Sequence, residues 1–199
     1  MSSFVLSMGG ALWLCLWYQN WRYWGIVVIG VGMTLAAFTP QPDIMVTGKG
    51  NLFAVRDHSG DLVVSDKRAS RRARKVWLRR NGQATAQKWS EIDTDNGTEM
   101  FLQCDSLSCL YRPPGRPDLI IALVKDPQAL QEDCQRTNVV ISAVPARFWC
   151  RDTELVIDRF DLWRAGGHAI WVGDKGLRVE TVADHQGQRP WSKYPPNRK

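Results

Sequence analysis

The 199-residue sequence is poor in histidine, has no apolar run of full membrane-spanning length, and carries almost no charge in its first forty-two residues. Its three histidines, His58, His168 and His185, stand singly and far apart. A metal centre built on imidazoles needs ligands that converge from close spacing, so these read as isolated surface or interface histidines. No serine sits in a Gly-x-Ser-x-Gly elbow. Gly48-Lys49-Gly50 lacks the Gly-Lys-Ser/Thr that completes a phosphate-binding loop. The acids form no catalytic pair. Asp158 and Asp161 neighbour Arg159 and Arg164, and Asp161 reads as a helix-start residue. The expectation is a protein without catalytic residues, metal or cofactor.

What is present is uneven. Hydrophobic residues make up 44% and charged residues 23%, a globular composition. The formal net charge is +6, and from Met1 to Pro42 only Arg22 is charged. A basic surplus points to an acidic partner: nucleic acid, phosphate or anionic lipid. Two apolar runs, Ser2–Tyr18 and Trp24–Phe38, each fall slightly short of the roughly 20 residues of a spanning helix. Trp17, Tyr18, Trp21, Tyr23 and Trp24 cluster between them, as at a lipid–water boundary. The expected organisation is a transmembrane helical hairpin over residues 1–42, with helices at about 2–18 and 24–38. An outer mixed α/β domain over 43–185 and a Pro-rich polar tail over 186–199 follow. Arg22 marks the inner turn by the positive-inside rule and puts the domain outside. A cleaved signal peptide is disfavoured, because Met1–Phe4 has no basic start and the apolar stretch is too long.

In the outer domain, Asp43–Thr47, Leu52–Arg56 and Asp61–Ser65 read as strands, with turns at Gly48–Gly50 and His58–Gly60. Ser70–Arg80 reads as a helix ended by Asn81-Gly82, and the polar stretch Gln83–Thr98 as a loop. Phe101–Cys104, Cys109–Arg112, Leu119–Val124, Val139–Ser142 and Leu155–Ile157 read as further strands. Helices are expected from Pro127 to about Arg136 and over Arg159–Ala165. Ala169–Val172 and Leu177–Val182 make a hairpin around Asp174-Lys175-Gly176. The order of strands and helices is that of a layered α/β domain.

Cys15 lies in the first apolar run. The other four cysteines, Cys104, Cys109, Cys134 and Cys150, fit two disulfides in an oxidising compartment. Cys104–Cys109 with Cys134–Cys150 is the simplest of three pairings, and reduced thiols remain the alternative in a reducing one. The strongest functional signal is basic: Lys67, Arg68, Arg71, Arg72, Arg74, Lys75, Arg79 and Arg80 lie close together. On a helix, Arg71, Lys75 and Arg79 share a face. Such a stripe can track phosphates without sequence preference, and Trp77 or Trp89 can stack on an unpaired base. A solvated helix face and a face lying on anionic lipid are the alternatives.

Several stretches resemble the carboxy-terminal end of the ComEC family, the membrane channels of bacterial DNA uptake in natural competence. They are Leu12-Trp13-Leu14-Cys15-Leu16-Trp17 with Trp21-Arg22, and Pro42-Asp43-Ile44-Met45-Val46-Thr47-Gly48 with Ala54-Val55-Arg56-Asp57. Ala122-Leu123-Val124-Lys125-Asp126-Pro127 with Asp133-Cys134, the run Val156-Ile157-Asp158-Arg159-Phe160-Asp161-Leu162-Trp163-Arg164, and Gln188-Arg189-Pro190-Trp191 complete the pattern. The resemblance implies a degenerate metallo-β-lactamase-like outer domain on the periplasmic side of the inner membrane. It also implies non-specific contact with DNA during transformation by a truncated tail, either a split product whose channel bundle is encoded separately or a decayed remnant. The His-x-His-x-Asp-His cluster of the active fold is missing, so no metal ligand is carried over. The competing expectation is a membrane-tethered structural or adaptor domain that binds a partner protein.

Overall fold

The computed structural model describes residues 2–91, 101–173 and 176–187, and the chain divides into two compact units, 1–41 and 42–199. The first unit is a helical hairpin of α1 (Ser2–Leu16) and α2 (Trp24–Ala37) joined through a 3-10 turn at Asn20–Tyr23. Glycines let the two backbones touch. A Cβ at Gly10 would lie 2.7 Å from the Gly25 carbonyl oxygen, and one at Gly25 would lie 2.7 Å from that of Gly10. Further along, Gly32 faces Ser3 and Ser7, which makes the pair antiparallel. Close approach over small residues is how helices pack where water does not drive them together. At the turn, Trp13, Trp17 and Trp21 cluster with ring centroids 5.3–6.0 Å apart. The outward residues are large and apolar: Phe4, Val5, Met8, Leu12 and Leu16 on α1, and Ile26, Val27, Val31, Met33 and Leu35 on α2.

Helices of 15 and 14 residues rise about 22 Å at 1.5 Å per residue, against about 30 Å of hydrocarbon in a bilayer. Among the described residues no helix is long and apolar enough to cross a membrane. That corrects the expectation of two transmembrane helices at about 2–18 and 24–38. α1 stops at Leu16 because the chain turns over its aromatic cluster, and α2 stops at Ala37 ahead of Pro40 and Pro42.

The second unit is mixed α/β, as expected. In chain order it runs β1 (Ile44–Val46), β2 (Phe53–Arg56), β3 (Leu62–Val64), α3 (Arg71–Arg80), β4 (Gln87–Lys88), β5 (Leu102–Cys104), β6 (Ser108–Tyr111) and β7 (Ile121–Val124). It continues with α4 (Leu130–Arg136), β8 (Val139–Ser142), β9 (Leu155–Ile157), α5 (Arg159–Ala165), β10 (His168–Gly173), β11 (Gly176–Thr181) and α6 (Val182–Gln186). The strands form two sheets, ordered β11-β10-β1-β2-β3-β4 and β5-β6-β7-β8-β9. The first is antiparallel except for the β3–β4 pair. The second turns parallel from β7 onward, where α4 makes the crossover to β8.

Period-two alternation assigns each side chain to a layer. Ile44, Val46, Phe53, Val55 and Val63 of the first sheet meet Tyr111, Ile121, Leu123, Val139, Ile141 and Ile157 of the second in one central core. The intervening residues Leu52, Ala54, Leu62 and Val64 point the other way, under Leu78 and Trp77 of α3. Ala122, Val124 and Val140 point outward from the second sheet, under Ala129 and Leu130. The layer order is helix, sheet, sheet, helix.

Two elements depart from the sequence reading. Within the expected loop Gln83–Thr98, Gln87–Lys88 pairs with β3, and Trp89 is buried with its indole N–H donating to the Val63 carbonyl at 3.3 Å. The turn α6 was not anticipated. Its capping box, Thr181 with Asp184, is the local reason it forms. The end of that loop (92–98), the hairpin residues Asp174 and Lys175, and the tail from Gln188, with its Gln188–Trp191 stretch, lie outside the described residues.

Two disulfides are formed, Cys104–Cys109 between register partners of β5 and β6, and Cys134–Cys150 from α4 to the loop after β8. The second closes a sequence separation of 16 residues, worth about 3 kcal/mol by the chain-entropy relation. The double variant Cys134→Ser/Cys150→Ser should lose about that much in urea unfolding, and an unchanged midpoint would show that the bridge does not stabilise the domain by restricting its unfolded chain.

Candidate functional site

The basic helix α3 starts at Ser70, which adopts a left-handed conformation (φ 41°) and donates its hydroxyl to Asn51 Oδ1 at 2.9 Å. The same oxygen accepts from the Thr47 hydroxyl at 2.9 Å. The β1–β2 turn and the start of α3 are therefore held together by one amide. At the far end, Asn81 and Gln83 close the helix, and Asn81 Oδ1 accepts from the Arg56 guanidinium at 2.9 Å.

Burial divides the cations of α3. Arg71, Arg72, Lys75, Arg79 and Arg80 are exposed and recur at i, i+1, i+4, i+8 and i+9, one continuous face. The outer face also carries Val76, and Arg68 is exposed just ahead of the helix. Among the described residues no acid pairs with any of these six cations. Arg74 differs: it is half-buried on the inner side, its Nη1 is enclosed, and that nitrogen has no hydrogen-bond partner. Trp77 is half-buried against the outer layer of the first sheet, and buried Trp89 lies in the central core with the Lys125 ammonium 4.7 Å from its ring centre. The burial of Trp89 corrects the expectation that its indole stacks on a base, while Trp77 keeps part of its indole at the surface. Lys67 is engaged with Glu91 at 2.6 Å.

The stretches singled out in the sequence do structural work at strand ends. Asp43 Oδ2 accepts from the Val172 amide at 2.7 Å, the Arg56 guanidinium reaches the Pro42 carbonyl, and Tyr111 donates its hydroxyl to the Arg56 carbonyl at 2.9 Å. Burial raises the Asp43 carboxyl, while the Val172 amide and Arg56 oppose it; burial drives the Tyr111 hydroxyl far above its ordinary range. Asp126 accepts from the Gln128 amide, with Pro127 opening the turn that leads into α4. Asp158 is buried and accepts from the amides of Phe160 and Asp161, so it caps α5.

The histidines do not converge. His58 packs edge-on to Phe101, and His185 hydrogen-bonds Glu180 at 2.9 Å. His168 is buried with Nδ1 2.9 Å from the Gly166 carbonyl oxygen. Among the described residues no group of three or more His, Cys, Asp or Glu side chains is placed to hold a metal ion.

A second surface feature was missed in the sequence. Phe148 and Trp149, in the loop after β8, are exposed, as are Phe160 and Trp163 on α5. Two contacts join the segments: Arg147 pairs with Asp161 at 2.7 Å, and the Ala146 amide donates to Asp158 Oδ2 at 3.5 Å. The available signal was the α5 pattern, since Leu162 faces inward and so turns Phe160 and Trp163 outward.

Comparison with protein-family models, with curated proteins and with solved structures finds no match for this chain.

Burial holds the His168 imidazole below its ordinary range, against the pull of Gly166, Asp161 and Asp184. The unfolded chain therefore takes up the proton first, and stability falls as pH drops below about 6.5. In His168→Gln the loss of stability between about pH 7.5 and 5 should be smaller than in the wild type, read by urea midpoints. Parallel curves would show that the ring is not held neutral by burial.

Proposed function

We propose that this chain is a membrane-seated, non-catalytic DNA-guiding module, equivalent to the tail of a ComEC-like uptake channel whose bundle is a separate chain. The observation that carries the reading is the outer face of α3, where Arg71, Arg72, Lys75, Arg79 and Arg80 stand exposed with no acid among them. A regular row of cations binds the phosphate backbone without reading bases. The hairpin supports the membrane part. Its outward surface is apolar on both helices, and its aromatic turn suits a lipid–water boundary. Its limbs are short for a bilayer, which suits a hairpin seated in lipid against a larger membrane bundle rather than one standing alone. The two disulfides support an oxidising, periplasmic location. The helix–sheet–sheet–helix layering supports a metallo-β-lactamase-like ancestry for the outer domain. The scattered histidines support a silent one.

The test is DNA retention by the full chain in nanodiscs as salt is varied. The logarithm of affinity should fall with that of salt by about 0.9 for each phosphate neutralised on duplex DNA. The variant Arg71→Glu/Lys75→Glu/Arg79→Glu should bind more weakly and lower that slope by about 3. Absence of DNA binding at low salt removes the reading.

A further inference from the structure

Four large aromatic side chains on two adjoining segments of the outer domain are exposed. Phe148 is 72% exposed, Trp149 54%, Phe160 48% and Trp163 63%. Exposed aromatics occur singly on most surfaces; a group of four from two adjoining segments calls for an occupant. The group is also rigidly mounted. The Cys134–Cys150 bridge fixes the loop beside Trp149, Asp158 caps α5 beneath Phe160, and Arg147–Asp161 ties loop to helix. The Phe148 ring packs edge-on to Trp149 at 5.7 Å and lies 5.2 Å from the Arg151 guanidinium.

Charge decides what kind of partner fits. Around the aromatics the segment 147–164 carries Arg147, Arg151, Arg159 and Arg164 against Asp152, Glu154 and Asp161 towards the surface, with Asp158 buried as the cap of α5, so its cations are nearly offset. A surface that tracks phosphates needs a large surplus of cations, as α3 has and this rim lacks. A rim of interspersed, nearly offset charges with protruding phenyl and indole groups suits instead the boundary layer of a bilayer. There apolar rings enter the acyl edge, and Trp N–H and Arg groups remain among headgroups. Chain length points the same way. Only residues 38–42 separate the end of α2 from Asp43, at most about 20 Å of extended chain. A domain so tethered is confined near the membrane surface once the hairpin is seated, and a shallow contact then forms at high effective concentration.

We propose that Phe148, Trp149, Phe160 and Trp163 form a lipid-contacting rim that rests the outer domain on the membrane in which the hairpin is seated. The proposal rests on the membrane reading given above and adds a second point of contact with lipid. It makes the contact apolar in origin, so insensitive to salt, unlike DNA retention by α3.

Depth-resolved spin labelling tests it in the full chain, in a Cys15→Ser background reconstituted into phosphatidylcholine–phosphatidylglycerol vesicles. Labels replace Phe160, Trp163, Leu12 in the hairpin, and Glu132 on the outer face of α4 as a water reference. All four sites are exposed, so the fold tolerates them. Oxygen accessibility relative to a nickel chelate at 160 and 163 should exceed that at 132 severalfold, and should persist at high salt. Water-like values at 160 and 163 with a lipid-like value at 12 overturn the rim alone. Water-like values at all of these sites overturn the hairpin reading and the rim together. Protection of 160 and 163 by added single-stranded DNA, with no effect of lipid, assigns the rim to nucleic acid and also overturns the proposal.

Discussion

The outer domain is organised by the burial of both faces of two sheets at once. Each central strand sends alternate side chains into the layer between the sheets and into a layer under a helix. Ile121 and Leu123 go one way, Ala122 and Val124 the other, and all four are fully buried. A single side chain of this size contributes about 1.5–3 kcal/mol on burial, so a one-residue slip in register would exchange two cores and is strongly disfavoured. Strands under this constraint have little room for polar chemistry. Polar and charged groups collect at strand ends and on the outer faces of helices, which is where the candidate surfaces lie.

Strand ends carry a cost of their own, because amides there lose their ladder partners. Asp43, Asp126 and Asp158 each answer that cost by accepting from backbone amides just beyond a strand or at the start of a helix. The stretches singled out in the sequence therefore include the domain's fasteners. Asp158 is the clearest case: a buried carboxylate held by the amides of Phe160, Asp161 and Ala146 is committed to holding α5 and the preceding loop in place. A carboxylate so engaged is a positioning group for the surface around it.

Much of this architecture was legible from local pattern. The strands from Asp43 to Ser65, the helix at Ser70–Arg80, the β7–α4–β8 unit and the start of α5 all have strong punctuation in Gly, Pro or Asp and clear runs between, although the cap of α5 is Asp158, with the expected Asp161 completing its capping box. What was not legible depended on distance in sequence. Gln87–Lys88 is a two-residue strand whose partner is β3, and Trp89 is drawn into the core by sheet packing, so neither has a local signature. The hairpin's length misled because apolar content runs on past Leu16, whereas the helix ends where the indoles of Trp13, Trp17 and Trp21 pack around the turn. The cation stripe was visible, but Arg74 and Trp77 belong to its inner side, and only the position of α3 over the first sheet shows that. Exposure of Phe148 and Trp149 likewise follows from the loop's path, pinned by Cys150.

The two surfaces differ in a way that local stability alone does not explain. α3 places Arg71 and Arg72 at its positive end, against the helix dipole, and repeats cations at i, i+4 with no acid to offset them. Both choices destabilise the helix by a few tenths of a kcal/mol per pair, and the five side chains concerned are exposed. The rim on α5 shows the reverse pattern: an ordered cap, nearly offset charges and large apolar groups turned to the outside. A sequence that breaks a local rule without structural return commonly does so where function sits. Here it breaks two different rules in two places, charge pairing on α3 and apolar burial on α5. One partner chemistry cannot account for both. Phosphate tracking explains the first and leaves the phenyl rings of Phe148 and Phe160 in water. Contact with the acyl edge of a bilayer explains the second and gives no reason for a row of cations without counter-charge. On the reading proposed above, a domain lying between polyanion and lipid would use both.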